Sequence, residues 1–164
     1  MKSAIYTIIF LGCLIASSHA QLKERDNLMG GTLGFWAKNN SPTLGFNYEN
    51  QVTQAGIGTI GLGVVLRYSN FSNNAEKFSN IFVGGQSNYN FNQVGNGTFV
   101  PFVGIVLGFF SSSPSGNTLK NSGLWAWGQA GMRYFFSPAV AGVVRFGLGN
   151  FNFNALELGV DFKF

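Results

Sequence analysis

Charge is scarce in this chain. Only 10% of its 164 residues are Asp, Glu, Lys or Arg, where a soluble domain usually carries about 25%. A protein this poor in charge needs something other than water to face. Cysteine and histidine are scarcer still: Cys13 and His19 are the only ones, and both fall within the first twenty residues. No apolar run reaches the roughly 20 residues that a membrane-spanning helix needs.

The first twenty residues read as a separate object. Met1-Lys2 is a short positive start, Ala4 to Ala16 is almost wholly apolar, and Ser18-His19-Ala20 offers small residues where a signal peptidase reads. The segment 1–20 is therefore expected to be a cleaved signal peptide, leaving 21–164 as the mature domain. Phe10-Leu11-Gly12-Cys13 admits a second reading, a lipoprotein signal with Cys13 lipidated. Phe10 opens that motif poorly and the cysteine comes early, so the plain leader is preferred. The mature part then has neither thiol nor imidazole, which excludes cysteine nucleophiles, disulfides, histidine bases and histidine or thiolate metal sites. No cofactor, no metal and no enzymatic activity are expected.

The sequence pI of about 9.4 does not signal nucleic acid. Without Lys2 the chain has nine basic and six acidic residues, scattered with no basic run.

What is abundant is glycine (23 residues) and aromatic side chains (16%), arranged with a period of two. In the last segment Leu156, Leu158, Val160, Phe162 and Phe164 alternate with Glu157, Gly159, Asp161 and Lys163. Ile60, Leu62, Val64, Leu66 and Tyr68 alternate with Gly61, Gly63, Val65, Arg67 and Ser69. The same rule holds over 103–110, 124–134 and 143–148, and more weakly over 29–38, 42–49 and 81–90. Alternation of this kind marks strands with two chemically different faces.

Two architectures produce it. A soluble barrel or sandwich turns the apolar face inward; a membrane barrel turns it to lipid and keeps polar and small residues inside. Here the non-apolar faces are mostly Gly, Asn, Gln and Ser rather than the Lys/Glu-rich surface of a soluble sheet. Small residues suit the crowded interior of a narrow barrel. A tilted strand of roughly ten residues crosses a 25 Å apolar band, so the mature length accommodates about eight. The expected fold is all-β, a single antiparallel up-and-down transmembrane β-barrel of about eight strands, with outer-membrane lipid as its surroundings.

Aromatic placement points the same way. Phe35, Trp36, Tyr68, Phe109, Phe110, Trp125 and Trp127 fall near one set of strand ends. Tyr48, Tyr89, Phe91, Phe99, Phe102, Tyr134, Phe135, Phe136, Phe162 and Phe164 fall near the other. Two interfacial belts are the expectation. The longest polar links, 69–80 and 111–122, are expected to be external loops and the contact surface for an extracellular ligand. Asn92 to Gly97 and Ser137-Pro138 read as tight turns on the opposite side, and the stretch Asn50 to Ala55 as a longer link there.

At the C-terminus, Gly159-Val160-Asp161-Phe162-Lys163-Phe164 resembles the terminal strand of bacterial outer-membrane barrels. Pro101 to Gly108 and Gly131 to Phe135 resemble strands of the small OmpA/OmpX-like barrel proteins. The resemblance implies a Gram-negative outer membrane location, and a terminal strand (Gly159, Phe162, Phe164) read by the barrel-assembly machinery. No appended periplasmic domain of the OmpA kind is expected after the last strand.

Several string motifs dissolve under this reading. Gly56-Ile57-Gly58-Thr59-Ile60-Gly61 matches a dinucleotide fingerprint but lacks the strand before and the helix after. Its glycines are better read as a turn and as small lumen residues. Gly104 and Gly108 have helix-dimer spacing in an apolar run that is short and contains Pro101. The sequons at Asn70 and Asn96 matter only in a eukaryotic secretory pathway.

Six charged residues fall opposite the apolar faces: Glu49, Arg67, Arg133, Arg145, Glu157 and Asp161. With the last hairpin centred near Phe151, Arg145 stands opposite Glu157, and Arg133 comes level with Asp161 two strands away. In a poorly hydrated lumen such charges should pair. A structural plug of ion pairs is the preferred reading over a catalytic or conducting site. The expected role is non-enzymatic, structural or surface-interacting, with a narrow solute conduit and a secreted soluble barrel binding an apolar ligand as the two alternatives.

Overall fold

The computed structural model describes residues 21–36, 41–73, 76–114, 121–149 and 153–164. The leader, with Cys13 and His19, lies outside the described residues. Eight strands follow one another: β1 (Asn27–Trp36), β2 (Ser41–Ala55), β3 (Gly58–Asn73), β4 (Glu76–Asn90), β5 (Phe99–Pro114), β6 (Asn121–Ser137), β7 (Val140–Gly149) and β8 (Phe153–Lys163). Each pairs antiparallel with its neighbour in sequence, and β8 returns to β1 to close the barrel. Closure satisfies every strand's backbone laterally, which an open sheet in lipid could not do. Asn27 and Phe164 finish the seam by exchanging backbone hydrogen bonds of 2.9 and 3.0 Å. Both chain ends of the barrel thus lie at one end, here called the base; the opposite end is the rim.

Burial is inverted relative to a soluble protein. Leu33, Leu124 and Leu158 are 65%, 74% and 57% exposed on the outer face, while Glu49, Arg67 and Arg133 are each 1% exposed inside. The soluble-barrel alternative needed Leu156, Leu158 and Val160 to face inward. All three face outward, so that reading is overturned. A one-residue register slip would exchange the faces of a whole strand, and β8 is held against it by pairing on both sides, from Leu28↔Lys163 to Trp36↔Ala155 and from Val140↔Phe162 to Gly149↔Phe153.

The strands are longer than the alternation indicated. Of the stretches expected as loops, 69–73, 76–80, 111–114 and 121–122 are strand, while 74–75 and 115–120 lie outside the described residues. β3 and β4 pair out to Asn73↔Glu76, and β5 and β6 out to Ser112↔Asn121. Backbone ladders do not require apolar side chains, so a hairpin that rises beyond an apolar band can continue in Asn and Ser without a periodic signal. Among the described residues β1–β2 and β7–β8 pair out to Trp36↔Ser41 and Gly149↔Phe153, and the described wall is taller on the β3–β6 side. At the base, Asn50 to Ala55 is not a link but the end of β2. A register shift between Gln51 and Thr53 breaks its alternation, and a tight turn with Gly56 at φ 55° follows.

The two aromatic belts are only half right. Phe35, Tyr68, Phe109, Tyr134, Phe136, Phe162 and Phe164 do face outward, but Phe102, Phe110 and Phe135 are buried in the lumen. Trp125 and Trp127 pack inside as well, against Phe110 and Phe82 at ring-centroid distances of 4.5 Å. Strand ends show where aromatics stand along the axis, not which face they take. The side chain of Trp36 lies outside the described residues.

The base is stoppered by apolar side chains. Leu22, from the polar lead-in, is 2% exposed and packs with Leu28, Val100, Phe135 and Ala141. Backbone hydrogen bonds between Arg25 and Gln51 and between Gln51 and Asp26, of 2.7 and 2.8 Å, hold the lead-in beneath the barrel.

Leu158 sits mid-strand on the outer face. Leu158→Arg is expected to cost about 2–4 kcal/mol when the protein folds into vesicles, the range for an arginine on the lipid face at the bilayer midplane. Urea titration of vesicle-folded protein measures it. A change within about 0.5 kcal/mol, as for an ordinary water-exposed surface position, would contradict lipid contact there.

Candidate functional site: the charged lumen

The residues that fill the barrel come from the small and polar faces of all eight strands, and they sort into layers. Above the apolar stopper, β2, β3 and β4 contribute Gln51, Thr59 and Asn90, linked by hydrogen bonds of 2.6 Å (Thr59 Oγ1 donating to Gln51 Oε1) and 3.0 Å (Asn90 Nδ2 to the same oxygen).

The lower charged layer is centred on Arg133. Its Nε donates to Asp161 Oδ2 at 2.7 Å, its Nη2 to Glu49 Oε2 at 2.8 Å and its Nη1 to Asn90 Oδ1 at 2.6 Å. Glu49 is saturated: besides Arg133 it accepts from Gln51 (2.9 Å), Asn88 (2.7 Å) and Asn90 (2.8 Å). Gln129 continues the net by donating to Asn88 Oδ1 at 2.6 Å. The ring of Phe102 lies under the guanidinium of Arg133, 4.5 Å from its centroid, a cation–π contact in a desolvated setting.

The upper layer has the opposite composition. Arg67 grips Glu157 through both ends of its fork, Nε to Oε1 at 2.6 Å and Nη2 to Oε2 at 2.9 Å. It also donates to Asn47 Oδ1 at 2.7 Å and to the carbonyls of Phe46 and Leu66. Arg145 joins the same two acceptors, hydrogen-bonding Asn47 Oδ1 and standing 3.7 Å from Glu157. Thr32 donates to Glu157 at 3.2 Å.

Glycine makes the room for these groups. A Cβ on Gly61 would strike the Glu49 carboxylate, and one on Gly30 would strike Asp161. Gly56, the first of the fingerprint glycines, makes the β2–β3 turn. The string thus serves a turn and a lumen wall.

All six sequence-derived charged positions are in the lumen, and four ion-pair contacts of 2.6 to 3.7 Å connect them. Arg145 stands opposite Glu157 in the β7–β8 register, as the hairpin centre implied, yet the tighter partner of Glu157 is Arg67. Neighbouring-strand side chains run alongside one another, whereas a side chain reaching across the bore meets the carboxylate head-on. Phe102 was expected in an outward belt rather than under Arg133. Asn47, Asn88, Asn90, Gln51, Gln129 and Thr32 were not singled out in the sequence. Their signal was their place on the non-apolar faces. Of the terminal-strand residues, Phe162 and Phe164 face outward, and Gly159 abuts Gly31 and Thr32 of β1.

Among the described residues there is no group of three or more His, Cys, Asp or Glu side chains able to hold a metal ion. Three guanidiniums and three carboxylates in a narrow bore, with every nitrogen and oxygen hydrogen-bonded except Arg145 Nε and Nη2 and Asp161 Oδ1, form a neutral plug. Such an arrangement can hold strands in register; it presents no free acid–base pair.

A closed eight-stranded antiparallel barrel with an apolar exterior and a charged, filled bore defines the class: this is the fold of the small outer-membrane barrels. Comparison with solved structures gives the same answer. The chain is similar to the outer membrane protein OprG from Pseudomonas aeruginosa, with a TM-score of 0.61 and 10% identity over 88% of this chain and 98% of that one. It is also similar to the N-terminal β-barrel domain of Pseudomonas aeruginosa OprF, with a TM-score of 0.60 and 14% identity over 86% and 98%. The outer membrane enzyme PagL matches at 0.51 and 14% over 83% and 97%. No protein-family model matches the chain, and no curated protein sequence is detectably similar to it. Identities this low carry the fold and not an activity.

The layers differ in how well each arginine is used, and this gives a ranking. Arg133→Met strands Glu49 and Asp161 and is expected to cost about 3–5 kcal/mol, the range for breaking a buried pair. Arg145→Met removes the less satisfied of two like charges sharing one carboxylate and should cost under about 1 kcal/mol or stabilise. Urea midpoints of the two folded variants decide this. Equal losses would mean that the lumen charges are not organised in these layers.

Proposed function

We propose that the protein is an integral outer-membrane barrel with a non-enzymatic, structural or surface-interacting role, and that its lumen does not conduct. The observation that carries this reading is the neutral network of Glu49, Arg67, Arg133, Arg145, Glu157 and Asp161 between an apolar stopper at the base and packed aromatic pairs toward the rim. Lipid is the partner of the apolar exterior. The outward aromatics of β8, Phe162 and Phe164, with Gly159, are the features through which the barrel-assembly machinery would read the terminal strand.

The contact surface is the tall side of the rim. The β3–β4 hairpin continues four residues past Ser69, the last β3 residue paired to β2. The neighbouring β5–β6 wall carries Ser111, Ser112 and Ser113. A polar ledge of this kind, standing clear of the apolar band, suits contact with an extracellular ligand. The similarity to PagL leaves catalysis to be judged on the chain's own residues, and the absence of histidine and cysteine from 21–164 supports the non-enzymatic reading.

Purified protein added to planar lipid bilayers is expected to insert without steady single-channel current. A stable, reproducible conductance would overturn the closed-lumen reading and favour a narrow solute conduit.

A further inference from the structure

The two charged layers are each neutralised imperfectly, and in opposite senses. Below, one arginine meets two carboxylates, Glu49 and Asp161. Above, two arginines meet one carboxylate, Glu157. The upper layer therefore carries an excess positive charge in a region where charges are screened weakly.

That excess is concentrated on Arg145. Its side chain is 3% exposed, and its Nε and Nη2 have no hydrogen-bond partner. Arg67, which shares its acceptors, uses all three of its nitrogens. The ring of Phe102, 5.6 Å from the Arg145 guanidinium, offers no conventional acceptor. Burying guanidinium donors unpaired is costly.

Beside Arg145 lies a cavity of about 20 Å³, bounded by Arg67, Trp125, Trp127, Gly147, Ala155 and Glu157. That is room for one water-sized particle. Its walls are mostly apolar and aromatic, and the indoles are held in place, Trp125 stacked on Phe110 and Trp127 tilted against Phe82. Indole edges are electropositive. Water could occupy such a space, but it would leave the charge excess in place.

We propose that this cavity is a binding site for one small monovalent anion of halide size, held against Arg145 beside Trp125 and Trp127. The anion supplies the acceptor that Arg145 lacks and brings the upper layer to neutrality. Gly147 and Ala155 are small enough to leave the space open. The proposal is separate from the closed-lumen reading: a static site at the rim side of the plug predicts anion-dependent stability without current.

The test is the thermal unfolding midpoint of the detergent-solubilised, folded protein, titrated with sodium bromide at constant ionic strength, the balance being sodium gluconate. Wild type is expected to show a rise that follows the logarithm of bromide concentration once this exceeds the dissociation constant. A ligand bound only by the folded state stabilises it by RT ln(1 + L/Kd), where L is the free ligand concentration. Gluconate is too large for the cavity and should give none. Arg145→Met should abolish the bromide response. Gly147→Ala is the second variant: its added Cβ would stand 3.5 Å from the Trp127 ring, an ordinary contact, so the barrel should fold while the cavity shrinks and bromide affinity falls at least tenfold. A wild-type midpoint that does not distinguish bromide from gluconate would overturn the proposal and leave the cavity to water. A bromide response retained in Arg145→Met, or undiminished in Gly147→Ala, would overturn it as well.

Discussion

An arginine sealed inside a bore only wide enough for side chains has to find a carboxylate there, and the rest of this structure is arranged around that requirement. Arg133 and Arg67 reach across the lumen to acids on other strands, Arg133 from β6 to Glu49 on β2 and Asp161 on β8, and Arg67 from β3 to Glu157 on β8. Each such bond ties together strands that share no backbone ladder. Lateral hydrogen bonding closes the cylinder; the ion pairs fix how its walls stand relative to one another. Because removal of one partner leaves a buried charge, the network also penalises slipped registers that would carry a charge onto the lipid face.

The exterior imposes the complementary constraint. Leu33, Leu44, Leu107 and Leu158 are more than half exposed, a surface that would be an aggregation liability in water and is ordinary in a bilayer. Space for the interior then comes from glycine, with Gly61 beneath Glu49 and Gly30 beneath Asp161. High glycine, low charge and abundant aromatics are thus one fact seen three ways: a thin wall with lipid outside and a few expensive charges packed within.

Much of this is written locally in the sequence. The alternation from Leu156 to Phe164 assigns every β8 side chain to its face, and the symmetry of the last hairpin brings Arg145 opposite Glu157. Where local patterning fails, a longer-range cause is visible. The register shift at Gln51/Thr53 hides the end of β2, and polar residues hide the ends of β3 to β6, whose ladders need no apolar face. Trp125 and Trp127 look like belt residues by their position along the strand, but they occupy the same face as Gln129 and Arg133 and so turn inward. Leu22 gives no sign of being a stopper, because the hydrogen bonds that place it come from Gln51 and Asn92, far along the chain. The preference of Glu157 for Arg67 over its register partner depends on the bore itself, which no single hairpin specifies.

The central claim is that the apolar faces point outward into lipid around a closed, self-filled barrel. Its most direct test is the electrophoretic mobility of the membrane-extracted protein in SDS, with and without boiling. A closed barrel resists SDS until heated, so the protein should be found in the membrane fraction and should change apparent size on boiling. Recovery in the aqueous fraction with identical mobility before and after heating would contradict the account and reverse the assignment of inside and outside.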